Sequence, residues 1–148
     1  MDKSKKVINE LLVRLFNDII NIEEANLRNG EISDLSVTEL HTIEAIGINS
    51  ERTMSEVAVD LNITVGTLTT AINKLIKKGY VERKRIEEDR RVVLINLTEK
   101  GELAFNLHQE FHNNMVNETI NGLTESEEEI LISSLERLTT FFKSKYNL

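Results

Sequence analysis

The sequence contains no cysteine, no proline and no tryptophan, and only 5% of its 148 residues are aromatic. Without cysteine there is no disulfide scaffold, no CxxC zinc or redox site and no thiol nucleophile. Long apolar runs are missing too. Stretches such as Val92-Val93-Leu94-Ile95 span only a few residues, too short for a membrane-spanning helix or a signal-peptide core, and a soluble, cytoplasmic protein is expected. No Gly-rich phosphate loop or nucleophile elbow occurs, and nothing places a serine and a histidine as a catalytic pair, which argues against an enzyme. What is present is an ordinary globular composition, 40% hydrophobic. A chain of this length buries roughly two-thirds of its unfolded surface. With so few aromatics, Leu and Ile must make most of that core, in one mainly helical domain over residues 1–148.

The formal charge of −7, taken alone, argues against a nucleic-acid partner. Its distribution argues the other way. Between Thr64 and Arg91 there are eight basic residues (Lys74, Lys77, Lys78, Arg83, Lys84, Arg85, Arg90, Arg91) and four acidic ones (Glu82, Glu87, Glu88, Asp89). That window carries +4 and the remainder −11. Such polarity would turn one basic face to a polyanion while the rest repels it. A solvated charged face is the commoner account of any single cluster.

Apolar spacing divides the chain into helices. Ile8, Leu12, Leu15, Ile19 and Ile22 recur at helical intervals, flanked by Val7, Leu11, Phe16 and Ile20. This stripe is too wide for one neighbour, which predicts a second surface in another subunit. Asn26 to Leu35 reads as a loop. Ser36-Val37-Thr38-Glu39 is a capping box opening a helix that Gly47 stops, and Thr53-Met54-Ser55-Glu56 is a second box opening a short helix. Thr64 caps the next helix, with Val65, Leu68, Ile72, Leu75 and Ile76 inward and Gly79 as its end. The two form a helix-turn-helix pattern, which any helical hairpin shares. Tyr80 to Arg85 and Arg91 to Leu97, rich in β-branched residues and arginine, flank the polar turn Ile86-Glu87-Glu88-Asp89-Arg90 and predict a β-hairpin. A hairpin directly after a helix-turn-helix makes a winged helix. Thr98 caps a helix carrying Leu103, Leu107, Phe111 and Met115. Thr124-Glu125-Ser126-Glu127, a third box, opens a last helix with Leu131, Leu135, Leu138 and Phe142. A pure coiled-coil interaction protein would account for the end helices and not for the basic hairpin.

On the helix from Thr64 to Lys78, the face opposite Leu68, Ile72 and Leu75 carries Gly66, Thr67, Thr70, Asn73, Lys74 and Lys77. Gly66 lets the backbone approach DNA, Thr67 and Thr70 offer a hydroxyl and a methyl to thymine, and Asn73 or Lys74 reaches further. Lys74 and Lys77 suit phosphates. The alternative is a Thr-rich solvent face, although threonines cost helix propensity without benefit there. At the hairpin tip, Arg90 or Arg91 suits a narrow minor groove, and Asp89 suits orienting one of those guanidiniums; a charged turn with a local ion pair is the alternative. Thr64, Gly66, Thr67, Thr70, Asn73, Lys74, Lys77, Asp89, Arg90 and Arg91 are the candidate DNA-contacting set.

His108 and His112, spaced i and i+4, can share a metal ion, and with His41 and Glu23 or Glu24 would form a site across three helices. Imidazoles that simply fill polar gaps are the commoner arrangement. No metal is therefore favoured; the alternative ligand set is Glu24, His41, His108 and His112.

Asp89-Arg90-Arg91, Leu97-Thr98-Glu99-Lys100-Gly101, Lys77-Lys78-Gly79-Tyr80 and the terminal helices resemble the MarR-type winged-helix transcription regulators along essentially the whole chain. Within that family the resemblance is closest to repressors of fatty-acid synthesis in Gram-positive bacteria. It rests on Ile22-Glu23-Glu24, Asn26-Leu27-Arg28, His41-Thr42-Ile43, Gly66-Thr67, Thr69-Thr70, Leu107-His108 and Phe111-His112. The resemblance implies a homodimer on a palindromic operator, with residues 1–30 and 124–148 as dimerisation helices around a DNA-binding core at 36–98. It also implies an acyl chain on acyl carrier protein as co-repressor and no required cofactor. Leu15, Ile19, Ile22, Ile43, Ile46, Leu107 and Phe111 are the candidate lining of an acyl tunnel. Lys84 and Arg85, or Lys3, Lys5 and Lys6, are candidate docking points for the acidic carrier. A zinc-responsive regulator, or one answering another small hydrophobic ligand, is the alternative.

Overall fold

Residues 2–147, which the computed structural model describes, run in the order α1 (Lys3–Arg28), α2 (Val37–Ile46), β1 (Arg52–Thr53), α3 (Met54–Leu61), α4 (Val65–Lys78), β2 (Val81–Arg85), β3 (Val93–Leu97), α5 (Glu99–Ile120) and α6 (Glu125–Tyr146). The mainly helical winged architecture agrees with the sequence reading. The chain divides into two compact units, Met1–His108 and Gln109–Leu148, the division falling inside α5.

Side-chain caps set most helix starts, because each satisfies backbone N–H groups that the first turn leaves without a partner. At α2, Ser36 Oγ accepts from the Glu39 N–H at 3.1 Å while Glu39 Oε1 accepts from the Ser36 N–H, also at 3.1 Å. Thr124 and Glu127 repeat this reciprocal pair at α6. Only half of the expected box forms at α3. Thr53 Oγ1 accepts from the Glu56 N–H, but the Glu56 carboxylate turns instead toward Arg52, whose Nε lies 3.6 Å away. Asn62 and Gly79 end α3 and α4 in the left-handed region.

The core of the first unit is aliphatic, as the scarcity of aromatics requires. Ile43, Ile46, Val57, Leu68, Ile72, Leu75 and Ile95 are fully buried, with Tyr80 the one aromatic among them. They fix α2, α3, α4 and the sheet to one another, and α4 keeps its opposite face in solvent.

Two expectations need correction. The loop placed from Asn26 begins at Asn29, because Leu27 is buried four residues after Glu23 and Arg28 lies 3.7 Å from Glu24 across one turn, so the last turn of α1 has packing and charge to hold it. The sheet has three strands rather than two. Arg52 and Thr53 pair with Ile95 and Leu94, giving the antiparallel order β1-β3-β2. A two-residue strand is too short to leave an alternating pattern.

The terminal helices leave their apolar residues in solvent. Val7, Ile8, Leu11, Leu15, Phe16, Ile20 and Ile22 of α1 are exposed, and in α6 no residue is buried, with Ile130, Ile132, Leu135, Phe141 and Phe142 open. Among the described residues, no helix is long and apolar enough to cross a membrane.

Candidate nucleic-acid interface

The outer face of α4 follows from its cap. Thr64 accepts from the Thr67 N–H at 3.1 Å and donates its own hydroxyl to Thr67 Oγ1 at 3.0 Å, so both threonines belong to the helix start. With Leu68, Ile72 and Leu75 inward, helical geometry sends Gly66, Thr67, Thr70, Asn73, Lys74 and Lys77 outward, and all six are exposed, as is Thr64. A Cβ at Gly66 would meet only Thr64 Oγ1, at 3.9 Å, an ordinary van der Waals distance. Lys74 and Lys77 make no ion pair among the described residues.

The wing lies beside this face. Val81–Arg85 pairs with Val93–Leu97 in antiparallel register, from Val81 opposite Leu97 to Arg85 opposite Val93. The tip closes through the Ile86 N–H to Val92 O at 3.2 Å and the Val92 N–H to Asp89 O at 3.0 Å. Asp89 grips Arg91 in a two-pronged pair, from Nε to Oδ1 at 3.0 Å and from Nη2 to Oδ2 at 3.1 Å, and also accepts the Arg91 backbone N–H. The Arg91 side chain holds the Asp89 carboxyl below the usual carboxylate range, with help from that backbone bond, and Asp89 raises the guanidinium in turn. Arg90 is exposed and in no ion pair among the described residues; its carbonyl accepts from Arg85 Nη1 at 2.9 Å.

Some basic residues of the window already have partners within the fold. Lys78 is drawn back to Glu39 at 2.9 Å and to the Asp34 carbonyl, and Lys84 pairs with Glu51. Arg83, absent from the candidate set, donates from the wing to Asn73 Oδ1 of α4 at 2.5 Å. An open groove of about 380 Å³ runs alongside, lined by Thr53, Met54, Ser55, Val65, Thr69, Arg83, Arg91, Val92 and Val93. Thr69 and Arg83 are named in the sequence reading but stand outside its DNA-contacting set. No spacing rule connects a helix residue to a strand residue ten positions later.

Of the effector residues, Ile43 and Ile46 are fully buried in the aliphatic core. Leu15, Ile22 and Leu107 are exposed and Ile19 is half-buried. Phe111 belongs to the second unit, where its ring meets His112 edge-on at 5.4 Å.

Of the candidate metal ligands, His41 and His108 come together and Glu24 does not join them. Glu23, His41 and His108, from α1, α2 and α5, bring their ligand atoms within 4.8 Å of one another, with Glu23 and His108 buried and His41 exposed. Glu44 Oε2 lies 3.2 Å from His108 Nε2. Glu24 is not in this group: it is exposed and faces Arg28, because neighbouring positions on a helix point about 100° apart and only Glu23 turns inward. His112 lies in the second unit.

A model of the MarR family matches residues 33–92, the span from the loop before α2 to the wing. The crystal structure of Streptococcus pneumoniae FabT in complex with DNA is 44% identical, covers 95% of this chain and 98% of that one, and superposes with a TM-score of 0.84. The HTH-type transcriptional regulator PchR of Bacillus subtilis is 22% identical over 97% of this chain and 92% of its own length. YhjH, also an HTH-type transcriptional regulator of B. subtilis, is 26% identical over 62% of this chain, which spans about half (52%) of it. The chain belongs to the MarR family of winged-helix, DNA-binding transcriptional regulators.

Proposed function

We propose that the protein represses fatty-acid biosynthesis genes, binding a palindromic operator as a homodimer, with long-chain acyl carrier protein as co-repressor. The observation that carries this reading is the 44% identity to FabT along almost the whole chain, α1 and α6 included. The geometry is compatible with it. The exposed face of α4, with Thr64, Gly66, Thr67, Thr70, Asn73, Lys74 and Lys77, enters the major groove, and the Asp89-Arg90-Arg91 tip reaches the flanking minor groove. The apolar faces of α1 and α6 are the surfaces a second subunit covers. Twofold symmetry then sets half-sites about one helical turn apart. An acyl chain seats on apolar surface left by Leu15, Ile19, Ile22 and Leu107; each buried CH₂ contributes about 0.8 kcal/mol, so affinity rises with chain length. Occupancy selects the dimer geometry that fits the operator.

A second reading has its own observation. Glu23, His41 and His108 form a carboxylate and imidazole group of a kind that takes zinc, and the ion would act where α1, α2 and α5 meet. One titration separates the two. Operator affinity is measured with long-chain acyl carrier protein, with the unacylated carrier, with zinc and with chelator, on wild type and on His41→Gln. The acyl reading requires that only the acylated carrier tighten binding. It is abandoned if the acylated carrier changes nothing while zinc shifts affinity and His41→Gln removes that shift.

A further inference from the structure

Arg83 fixes which half of the Asn73 amide faces outward. The guanidinium can only donate, so the atom it meets at 2.5 Å is the amide oxygen, and the Asn73 Nδ2 group, with two N–H donors, points elsewhere. Asn73 stands on the exposed face of α4 between Thr70 and Lys77, on the same side as Lys74, while Arg83 approaches from the middle of β2, opposite Ile95.

This matters because asparagine reads adenine through both ends of its amide. The oxygen accepts from the adenine N6 amino group while the nitrogen donates to N7. An arginine on one of the two lone pairs of that oxygen turns the oxygen toward the wing, so that the side of the amide away from Arg83 presents the Nδ2 donors. Those donors complement the paired acceptors N7 and O6 on the major-groove edge of guanine. We infer that Arg83 makes Asn73 a donor-only reader, so that the base it meets in each operator half-site is guanine and not adenine. Arg83 is thus a positioning residue: it sets specificity through Asn73. The inference rests on the proposal that α4 enters the major groove, and it adds a base identity and a residue outside the candidate contact set.

The test is selection of bound sequences from a randomised duplex pool by wild type, Asn73→Ala, Arg83→Met and Arg83→Lys, with affinities then measured for single-base operator variants. Asn73→Ala identifies the base pair concerned, as the position whose preference relaxes. Wild type should prefer guanine there by about tenfold or more, the range a good two-bond contact supplies. Arg83→Met, which keeps the aliphatic stem and removes every donor, should release the amide oxygen and move that one position toward adenine. Arg83→Lys, which still donates, should keep guanine. Three results would overturn the inference: adenine selected by the wild-type protein, a base preference unmoved by Arg83→Met, or no position relaxed by Asn73→Ala. Failure of the underlying groove placement looks different, since the wild-type protein would then enrich no sequence at all.

Discussion

Tyr80 Oη donates to Asp34 Oδ1 across 2.5 Å, from a side chain wholly inside the core to a half-exposed carboxylate on the loop before α2. The same carboxylate lies 3.7 Å from Lys100 Nζ, and that ammonium sits 4.4 Å over the Tyr80 ring. Loop, hairpin start and α5 start are tied together at the end of the recognition helix, where Lys78 holds Glu39 and the Asp34 carbonyl. The Tyr80 hydrogen bond is the main cause that keeps Asp34 below its ordinary pKa; slight burial opposes it and Lys100 adds to it. Glu39 is also lowered: burial pushes its pKa up, but hydrogen bonds from Lys78 and Ser36 outweigh that. Burial first, and then Asp34, push the Tyr80 hydroxyl upward, so it stays a donor throughout the working range.

A carboxylate lowered in the folded state stabilises fully above its unfolded pKa, and that contribution disappears as pH falls below about 4. Tyr80→Phe should therefore cost about 1 kcal/mol at pH 7, the charged hydrogen-bond value reduced for a half-exposed acceptor. At pH 3 the gap between wild type and variant should narrow. Urea unfolding at both pH values measures it; an equal gap at the two would show that Asp34 plays no part.

Gly101→Ala should be more damaging than its size suggests. A Cβ there would stand 2.1 Å from the Tyr80 carbonyl oxygen and 3.1 Å from Leu97 Cβ, so backbone and not a flexible side-chain end would have to move. Overpacking of this kind costs about 1–3 kcal/mol. The carbonyl involved also accepts from the Thr98 N–H at 3.0 Å, so the shift should loosen the junction of wing and α5. Thermal unfolding checks this; a variant as stable as wild type would mean that α5 starts farther from Tyr80.

Association should depend on the open apolar faces. Leu11 is 51% exposed and Leu135 53%, so aspartate at either position leaves the subunit core untouched. Each substitution should yield monomer at micromolar concentration and weaken operator binding by about tenfold or more, since two half-sites are then no longer engaged together. Light scattering with operator titration reads both. Wild-type protein that is itself monomeric would remove the basis of this expectation.

Much of this architecture is legible in the sequence because it rests on local signals. Ser36, Thr64 and Thr124 each announce a helix start through a side chain that satisfies a nearby N–H, and Gly79 announces a stop through a backbone that β-carbons resist. The outer face of α4 is equally legible, being whatever Leu68, Ile72 and Leu75 do not use. The regulator reading, as against an enzyme, agrees with membership of the MarR family. What could not be read depends on neighbours distant in sequence. Arg83 meets Asn73 only after the wing folds back on α4. Glu23 and Glu24 are indistinguishable until helical phase sends one inward to His41 and His108 and the other out to Arg28. Gly101 closes the Leu97-to-Gly101 motif on which the resemblance rests, but the reason a side chain is excluded there is a carbonyl twenty-one residues earlier.

The two wing arginines should behave differently, although they are adjacent and equally charged. Arg91 is held by both carboxylate oxygens of Asp89 before DNA arrives, so its guanidinium is already oriented and loses little freedom on insertion. Arg90 has no such partner and suits a phosphate, which a mobile cation contacts as well as a fixed one. Arg91→Ala should then cost about 1–3 kcal/mol and erase a preference for A·T-rich flanking sequence, where the narrow minor groove concentrates negative potential. Arg90→Ala should weaken all sequences alike and lower the slope of log affinity against log salt by about one unit. Asp89→Ala should follow Arg91→Ala in losing flank preference but cost less affinity, because it removes a negative charge facing the duplex while it frees the guanidinium. Fluorescence anisotropy on operators with A·T-rich and G·C-rich flanks, over a salt series, gives both the slope and the preference. If Asp89→Ala keeps the wild-type flank preference, the carboxylate does not orient Arg91 for DNA, and the pair is a solvent-exposed feature of the turn. If both arginine variants bind as wild type does, the wing does not touch the duplex and the recognition surface ends at α4.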